Sequence, residues 1–173
     1  MFQEKQKTYY MGAGILPFSI KNNKLYFLFG KENRFADTPG WSDFGGGQDN
    51  NERPLQTALR EAVEETTGFL GNKKDIKKII TQYGIRTIKW NNYTMFLCYI
   101  PYDENLVKYY NNCQKFIQNN LNPKIIKKSK YFEKSEIRWF SVSDLKNKYL
   151  FRPYFRNIVY LLQKNLNVLF NPK

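Results

Sequence analysis

The chain has 173 residues, 42% hydrophobic and 17% aromatic, with 28 Lys and Arg against 15 Asp and Glu for a formal net charge of +13. This length predicts one domain, residues 1–173, able to bury a core without disulfides or metals, and the composition excludes a disordered chain. There is no histidine, which excludes histidine-dependent triads and most zinc sites.

Cys98 and Cys113 form no CxxC pair and are read as reduced thiols. The N-terminal residues lack the apolar centre of a signal peptide, and no stretch reaches the roughly 18 apolar residues of a membrane helix. The expectation is a soluble, cytoplasmic protein with no membrane contact. A surface this basic attracts polyanions. Yet the chain is crowded with Lys, Asn, Ile and Tyr, a bias that A/T-rich codon usage also produces, so charge alone does not name a partner.

In chain order, Thr8 to Ile20 reads as a strand and "LYFLFGKE" as its returning partner after the turn "KNNK". "RFADTPGWSDFGGG" is an irregular loop with an extended piece from Trp41 to Phe44. A helix then begins at Pro54, a residue suited to a first helical turn, with Asn51 as the nearby cap. Leu55, Ala58, Leu59, Ala62, Val63 and Thr66 recur at helical spacing and form its packing face. Gly68 and Gly71 end it. "KKIITQYGIRTIKW" and "YTMFLCYIP" read as two strands turned at Asn91 and Asn92. Residues 103–130 read as a polar insertion with a short helix over Leu106 to Ile117. "KYFEKSEIRWFSV" is another strand, and residues 153–170 form an amphipathic helix. Strands, helix, strands and helix in this order predict an α/β (α+β) fold, a mixed sheet held between helices.

The acidic helix is the feature that carries chemistry. Glu61, Glu64 and Glu65 fall on one side at 3.6 residues per turn. Glu61 and Glu65 are an i,i+4 like-charge pair that costs a few tenths of a kcal/mol in an isolated helix, roughly 0.2–0.5. A divalent cation between the carboxylates reverses that sign, and hard ions such as Mg²⁺ favour clustered carboxylate oxygens. Arg60 is spaced to pair with Glu64, and with Glu52 if the loop folds back. A solvated acidic face is the other reading of the helix taken alone.

The full pattern is longer than the helix. Gly46 is followed after five residues by Glu52, then after seven by Arg60-Glu61, then Ala62, Val63, Glu64 and Glu65 in order, with Trp41 and Gly45-Gly46 as lead-in. Here the chain resembles the Nudix hydrolases, whose motif has this order and spacing and spans residues 46–68 in this chain. Three departures stand out. Phe44 replaces the usual proline, Ala62 replaces a larger aliphatic residue, and "EETTG" delays the closing glycine by one, which either places Thr67 at the glycine position or adds one residue to the helix end. Residues 10–147 resemble the family more weakly.

The resemblance implies an α/β/α Nudix-like sandwich and a hydrolase that acts on pyrophosphate bonds with Mg²⁺ or Mn²⁺. By match to the motif, Glu61, Glu64 and Glu65 are the metal ligands with the Gly45 carbonyl, or that of Gly46. Glu52 and Arg60 orient the site. The general base is Glu61 or a distant carboxylate, with Glu133 and Glu136 as candidates. Lys31, Arg34 and Trp41 join Gly45 and Gly46 as expected substrate contacts. With Lys124, Lys127, Lys128 and Lys130 they fit a phosphorylated small molecule of the nucleoside diphosphate or triphosphate type, capped RNA, or a diphosphoinositol polyphosphate. A nucleotide substrate ranks ahead of decapping, because the chain has no room for a separate RNA-binding domain. A Nudix-like RNA-binding or nucleotide-binding module without turnover is the reading from another class.

Overall fold

The computed structural model describes residues 11–49 and 51–170. The predicted strand residues Thr8 to Tyr10 lie outside the described residues. Strand β1 (Gly12–Lys21) turns through Asn22 and Asn23, both at positive φ, into β2 (Lys24–Glu32). Two short strands follow, β3 (Trp41–Ser42) and β4 (Phe44–Gly47), where the sequence predicts an extended piece. Strands β5 (Ile85–Trp90), β6 (Tyr93–Tyr99) and β7 (Lys134–Ser141) complete a sheet of seven strands. β1 pairs in parallel with β6 and antiparallel with β2 and β4, so the sheet is mixed.

Both faces of this sheet are covered. Ala13 and Ile15 of β1 pack on one side with Ala58, Leu59 and Ala62 of helix α1 (Pro54–Glu65). Leu16 and Phe18 face the other side, against Phe155, Ile158 and Leu162 near and within the C-terminal helix. Alternate residues of a strand point to opposite faces, so a strand buried on both faces reads as a continuous apolar run. "GAGILPF" is such a run. The result is the expected helix, sheet, helix sandwich.

Three predicted elements are corrected. "KKIITQYGIRTIKW" is not one strand. Its first half belongs to helix α2 (Lys73–Tyr83), and only Ile85–Trp90 is extended. Asn72 caps the helix by accepting from the backbone N–H groups of Lys74 and Asp75, and Asp75 returns a carboxylate to the Asn72 N–H. Gly84, at φ +75, closes it. That Asn-x-x-Asp box and the spacing of Ile76, Ile79, Ile80 and Tyr83 are helical signals that outweigh the β-branched run. The insertion is also more ordered than a short helix in a polar loop. It holds α3 (Glu104–Asn120) and α4 (Pro123–Lys128). Finally, the tail is two helices, α5 (Arg156–Lys164) and α6 (Leu166–Phe170), broken at Asn165.

The start and end of α1 resolve two details of the motif. Asn51 is not the cap. It sits in the preceding turn at φ +66, and Arg53 occupies the cap position, with its backbone N–H donating to Gln56 Oε1 at 2.7 Å. At the other end the Gly68 N–H bonds the Val63 carbonyl and the Thr67 N–H bonds the Glu64 carbonyl, both at 3.0 Å. This is the paired bonding of a Schellman turn, which requires a left-handed residue after the cap. Thr67 supplies it at φ +49, and its buried hydroxyl has no hydrogen-bond partner. The delayed glycine therefore costs strain rather than geometry. A left-handed L-residue is disfavoured by roughly 1–2 kcal/mol, of which the greater freedom of an unfolded glycine returns a part. Thr67→Gly should raise stability by about 1 kcal/mol, read as a higher urea midpoint at constant slope. A lower midpoint would contradict this account of the helix end.

Candidate active site

Strand β4 lies against α1, and the loop between them folds back over the helix. That return brings Gly45, Gly46 and Gly47 beside the acidic face. Gly46 is in direct contact with Glu61: a Cβ built there would lie 2.7 Å from the Glu61 carboxyl carbon. Only glycine admits the carboxylate this close to the backbone.

Arg60 is the hub of the site. Its Nε donates to Glu52 Oε1 at 2.9 Å and lies 3.3 Å from Asp49. One terminal nitrogen reaches Glu61 at 2.5 Å and Glu64 at 3.3 Å. The other reaches Glu52 at 3.0 Å and the Gly47 carbonyl at 2.9 Å. One guanidinium thus binds four carboxylates and ties the glycine loop to the helix, a task for which its planar fork of five donors is suited. The hydrogen bond from Arg60 holds Glu52 at a pKa of about 2, well below the usual carboxylate range. Burial raises Glu61, against the pull of Arg60.

Glu65 lies deeper than its neighbours, 1% exposed. It accepts from the Gly45 N–H at 2.8 Å, and the Lys134 ammonium stands 3.3 Å away. Lys134 is fully buried. It contacts Glu32 at 2.5 Å and the Ser42 hydroxyl at 2.8 Å, and Glu32 in turn accepts from Arg152 at 2.8 Å. Burial alone would lower the Lys134 pKa, but Glu65 and Glu32 outweigh it and the ammonium is held above its ordinary value. Burial likewise raises Glu65, opposed by Lys134. Next to this network, Tyr93 donates its hydroxyl to Asp43 at 2.9 Å, and burial pushes Asp43 up to about 7. Gly14 and Gly45 make room for that pair, since a Cβ at either would lie within 2.4 Å of its atoms.

The structure separates the two candidates for a distant base. Glu133 is half-buried with a raised pKa, caused first by burial and then by the charges of Glu32 and Glu61. It borders the acidic cluster. Glu136 points to the sheet edge and pairs with Lys31 at 3.5 Å. Arg34 lies over its neighbour Phe35, 4.9 Å from the ring centroid. Trp41 is 6% exposed; it packs on Phe140 and is covered by Arg138, so its ring supports the strand that leads into the glycines. Of the insertion lysines, Lys127 lines a polar cleft of about 220 Å³ with Glu32, Glu133 and Arg152, and Lys130 is near enough to Glu61 to oppose the rise in its pKa.

Sequence reasoning missed Glu32, Lys134, Arg152, Asp43 and Tyr93. It also missed the role of the insertion. From α3, the buried Tyr110 donates to the Glu65 carbonyl at 2.8 Å, satisfying one of the orphan carbonyls at the end of α1. Asn111 exchanges two hydrogen bonds with the Ile137 backbone.

The donor set of Glu52, Glu61, Glu64, Glu65 and the glycine carbonyls is all hard oxygen, which fits Mg²⁺ or Mn²⁺. Among the described residues, no three of these carboxylates converge on one point; Arg60 and Lys134 act as their counter-charges instead. The missing side chain of Gly46 leaves open the space beside the Glu61 carboxylate that a cation would need.

The NUDIX domain family profile matches residues 9–162. The chain is 45% identical over 58 residues to Uncharacterized protein L534 of Acanthamoeba polyphaga mimivirus, a match covering 32% of this chain and 19% of that protein. The match therefore spans about a fifth of that curated relative's length. Among solved structures, a C. elegans Ap4A hydrolase in a binary complex aligns over 92% of this chain and 99% of its own, at TM-score 0.53 and 14% identity. The Nudix hydrolase RenU of M. smegmatis aligns over 92% of this chain and 88% of its own, also at TM-score 0.53 and 14% identity. At such identity the likeness concerns the fold. No described helix is long and apolar enough to cross a membrane. With the profile covering most of its length, the chain belongs to the Nudix family.

Proposed function

We propose that the protein is a Mg²⁺- or Mn²⁺-dependent pyrophosphohydrolase acting on a nucleoside diphosphate-linked or nucleoside triphosphate-type substrate. The observation that carries this reading is Arg60 gripping Glu52, Glu61 and Glu64 while the Gly46 backbone lies on the Glu61 carboxylate. Repulsion among carboxylates within one helical turn is tolerated where a cation site has to be maintained. Glu61, Glu64, Glu65 and the Gly45 carbonyl would hold the metal. Bound there, the ion would neutralise charge on the phosphates and lower the pKa of a water.

The chain's own residues supply the rest. Arg60 and Glu52 fix the carboxylates, Tyr110 and the Gly45 N–H fix Glu65, and Lys127 and Lys130 offer charge to the phosphates. Glu61, or Glu133 beside the acidic cluster, is our candidate to take a proton from water. Glu136 is committed to Lys31 at the sheet edge.

The test is phosphate release with Mg²⁺ across a panel of nucleoside triphosphates, dinucleoside polyphosphates, capped RNA and a diphosphoinositol polyphosphate. Turnover of a nucleotide that stops on chelation supports the reading. Cleavage of capped RNA with steep salt dependence would favour decapping. Binding of nucleotides or RNA with no turnover of any panel member would favour the non-catalytic module.

A further inference from the structure

We propose that the cleft between α5 and the turns that precede it is a second ligand site, which takes a phosphorylated small molecule of the nucleoside diphosphate type without a metal ion. This goes beyond the hydrolase reading and does not rest on it. The cleft measures about 450 Å³, within the roughly 300–1,000 Å³ of small-molecule sites. Its lining includes Leu145 and Val159, both buried in the core on the side of the sheet away from α1. Lys146, Lys148, Arg156 and Tyr160 line it as well.

Like charge is gathered here as it is on the acidic helix, with the sign reversed. From Leu145 to Lys173 the chain has six Lys and Arg and no Asp or Glu. The Lys148 ammonium lies 5.3 Å and the Arg156 guanidinium carbon 5.6 Å from the centroid of the Tyr149 ring, so one ring draws two cations together. The Arg156 Nε donates to the Phe151 carbonyl at 3.2 Å, which fixes the guanidinium at the cleft. Among the described residues, neither Lys146, Lys148 nor Arg156 pairs with a carboxylate. Asp144, the adjacent acid, is committed to the Ser141 N–H and hydroxyl, 2.7 Å from each. Cations held together without a carboxylate gain from a bound anion, and the Arg fork and Lys point charge are the usual partners of phosphate.

The remaining lining selects what carries the phosphates. Leu145 and Val159 suit apolar ligand atoms, and the Tyr160 ring, 52% exposed, offers a face for stacking. A bare inorganic phosphate would leave both unused. A diphosphate brings several negative charges to three cations that the chain itself supplies, so binding here needs no divalent ion. The acidic helix packs on the other side of the sheet and repels phosphates until a cation is bound. The two sites therefore differ in side of the sheet, in sign and in metal requirement.

The experiment measures dissociation constants by equilibrium dialysis for adenosine diphosphate, inorganic pyrophosphate and adenosine, with divalent ions chelated. Adenosine diphosphate should bind wild type at least about 10-fold more tightly than either fragment. Arg156→Gln, and Lys146→Ala combined with Lys148→Ala, should each weaken it about 10-fold, the scale of a lost hydrogen bond to a charged group. Arg156→Lys should keep most of the affinity, and every variant should keep the wild-type urea midpoint, which separates lost contacts from a folding defect. Lys74→Ala combined with Lys78→Ala removes the same charge from the exposed face of α2 and should change the affinity by less than twofold. Glu64→Gln should also leave it within twofold. Binding that appears only with Mg²⁺, pyrophosphate that binds as tightly as the nucleotide, or equal losses from the two lysine pairs would overturn the site. A single-stranded RNA that binds while adenosine diphosphate does not would overturn it too. The hydrolase reading fails separately: metal-free nucleotide binding lost in Arg156→Gln, with no anhydride cleaved, would leave this site standing and sink the hydrolase.

Discussion

Lys134→Met should destabilise the protein by about 3–5 kcal/mol, the usual effect of breaking a buried ion pair by removing one partner. Lys134 is fully buried and is the counter-charge shared by Glu32 and Glu65. Without it Glu65 keeps only the Gly45 N–H, and Glu32 keeps Arg152 and Ser42. Two carboxylates then face each other in a dry interior. Methionine matches the aliphatic stem, which lies against Gly30 and Phe44, so the loss comes from charge rather than from a void. Urea unfolding should show the midpoint falling with the slope unchanged. A midpoint within about 0.5 kcal/mol of wild type, the range of an ordinary surface substitution, would mean that the network is not built as described.

Glu64→Gln should have the opposite profile. Glu64 is partly exposed and its ion pair is with Arg60 at 3.3 Å, a nitrogen that holds Glu61 more closely. Neutralising one carboxylate in a crowded cluster removes repulsion, so the folded state should be as stable as wild type or slightly more so. Turnover, by contrast, should fall by roughly 10²–10³-fold, the scale on which removal of one electrostatic stabiliser acts. The amide is a neutral oxygen donor where the cation needs a charge. Glu65→Gln is a less discriminating variant, because Glu65 also balances Lys134 and its loss mixes stability with activity.

The contrast between these residues explains what the sequence could disclose. Glu52, Arg60, Glu61, Glu64 and Glu65 sit within one loop and one helix, so fixed spacing and a 3.6-residue period locate them together. The Leu59 and Ala62 face was legible for the same reason. Lys134 was not, because its partners are 102 and 69 positions away. Its inward direction follows from a local irregularity: β2 pairs Lys31 with Glu136 but Glu32 with Lys134, skipping Ser135. Strand register fixes which side chains face the core, and a bulge resets it without an unmistakable mark in the sequence. Tyr93 of β6 and Asp43, which lies between β3 and β4, likewise meet only through the fold, 50 positions apart. Helix α2 is a different kind of miss. Its Asn72 and Asp75 cap was present in the sequence, and the isoleucine run concealed it.

Thr67 shows how a departure from a motif can be absorbed. The sequence left the helix end open, since the glycine comes one residue late. The backbone keeps the left-handed turn at the motif position and places the strain on threonine.

The most direct measurement of the central claim is nucleotide hydrolysis at increasing Mg²⁺ after full chelation, for wild type and Glu64→Gln side by side. The account predicts no wild-type turnover in chelator, saturable recovery with Mg²⁺ or Mn²⁺, and a Glu64→Gln protein that stays folded while turning over at least about 100-fold more slowly. Wild-type turnover that persists in chelator, or equal rates in the two proteins at every metal concentration, would contradict the assignment of the acidic helix as the cation site.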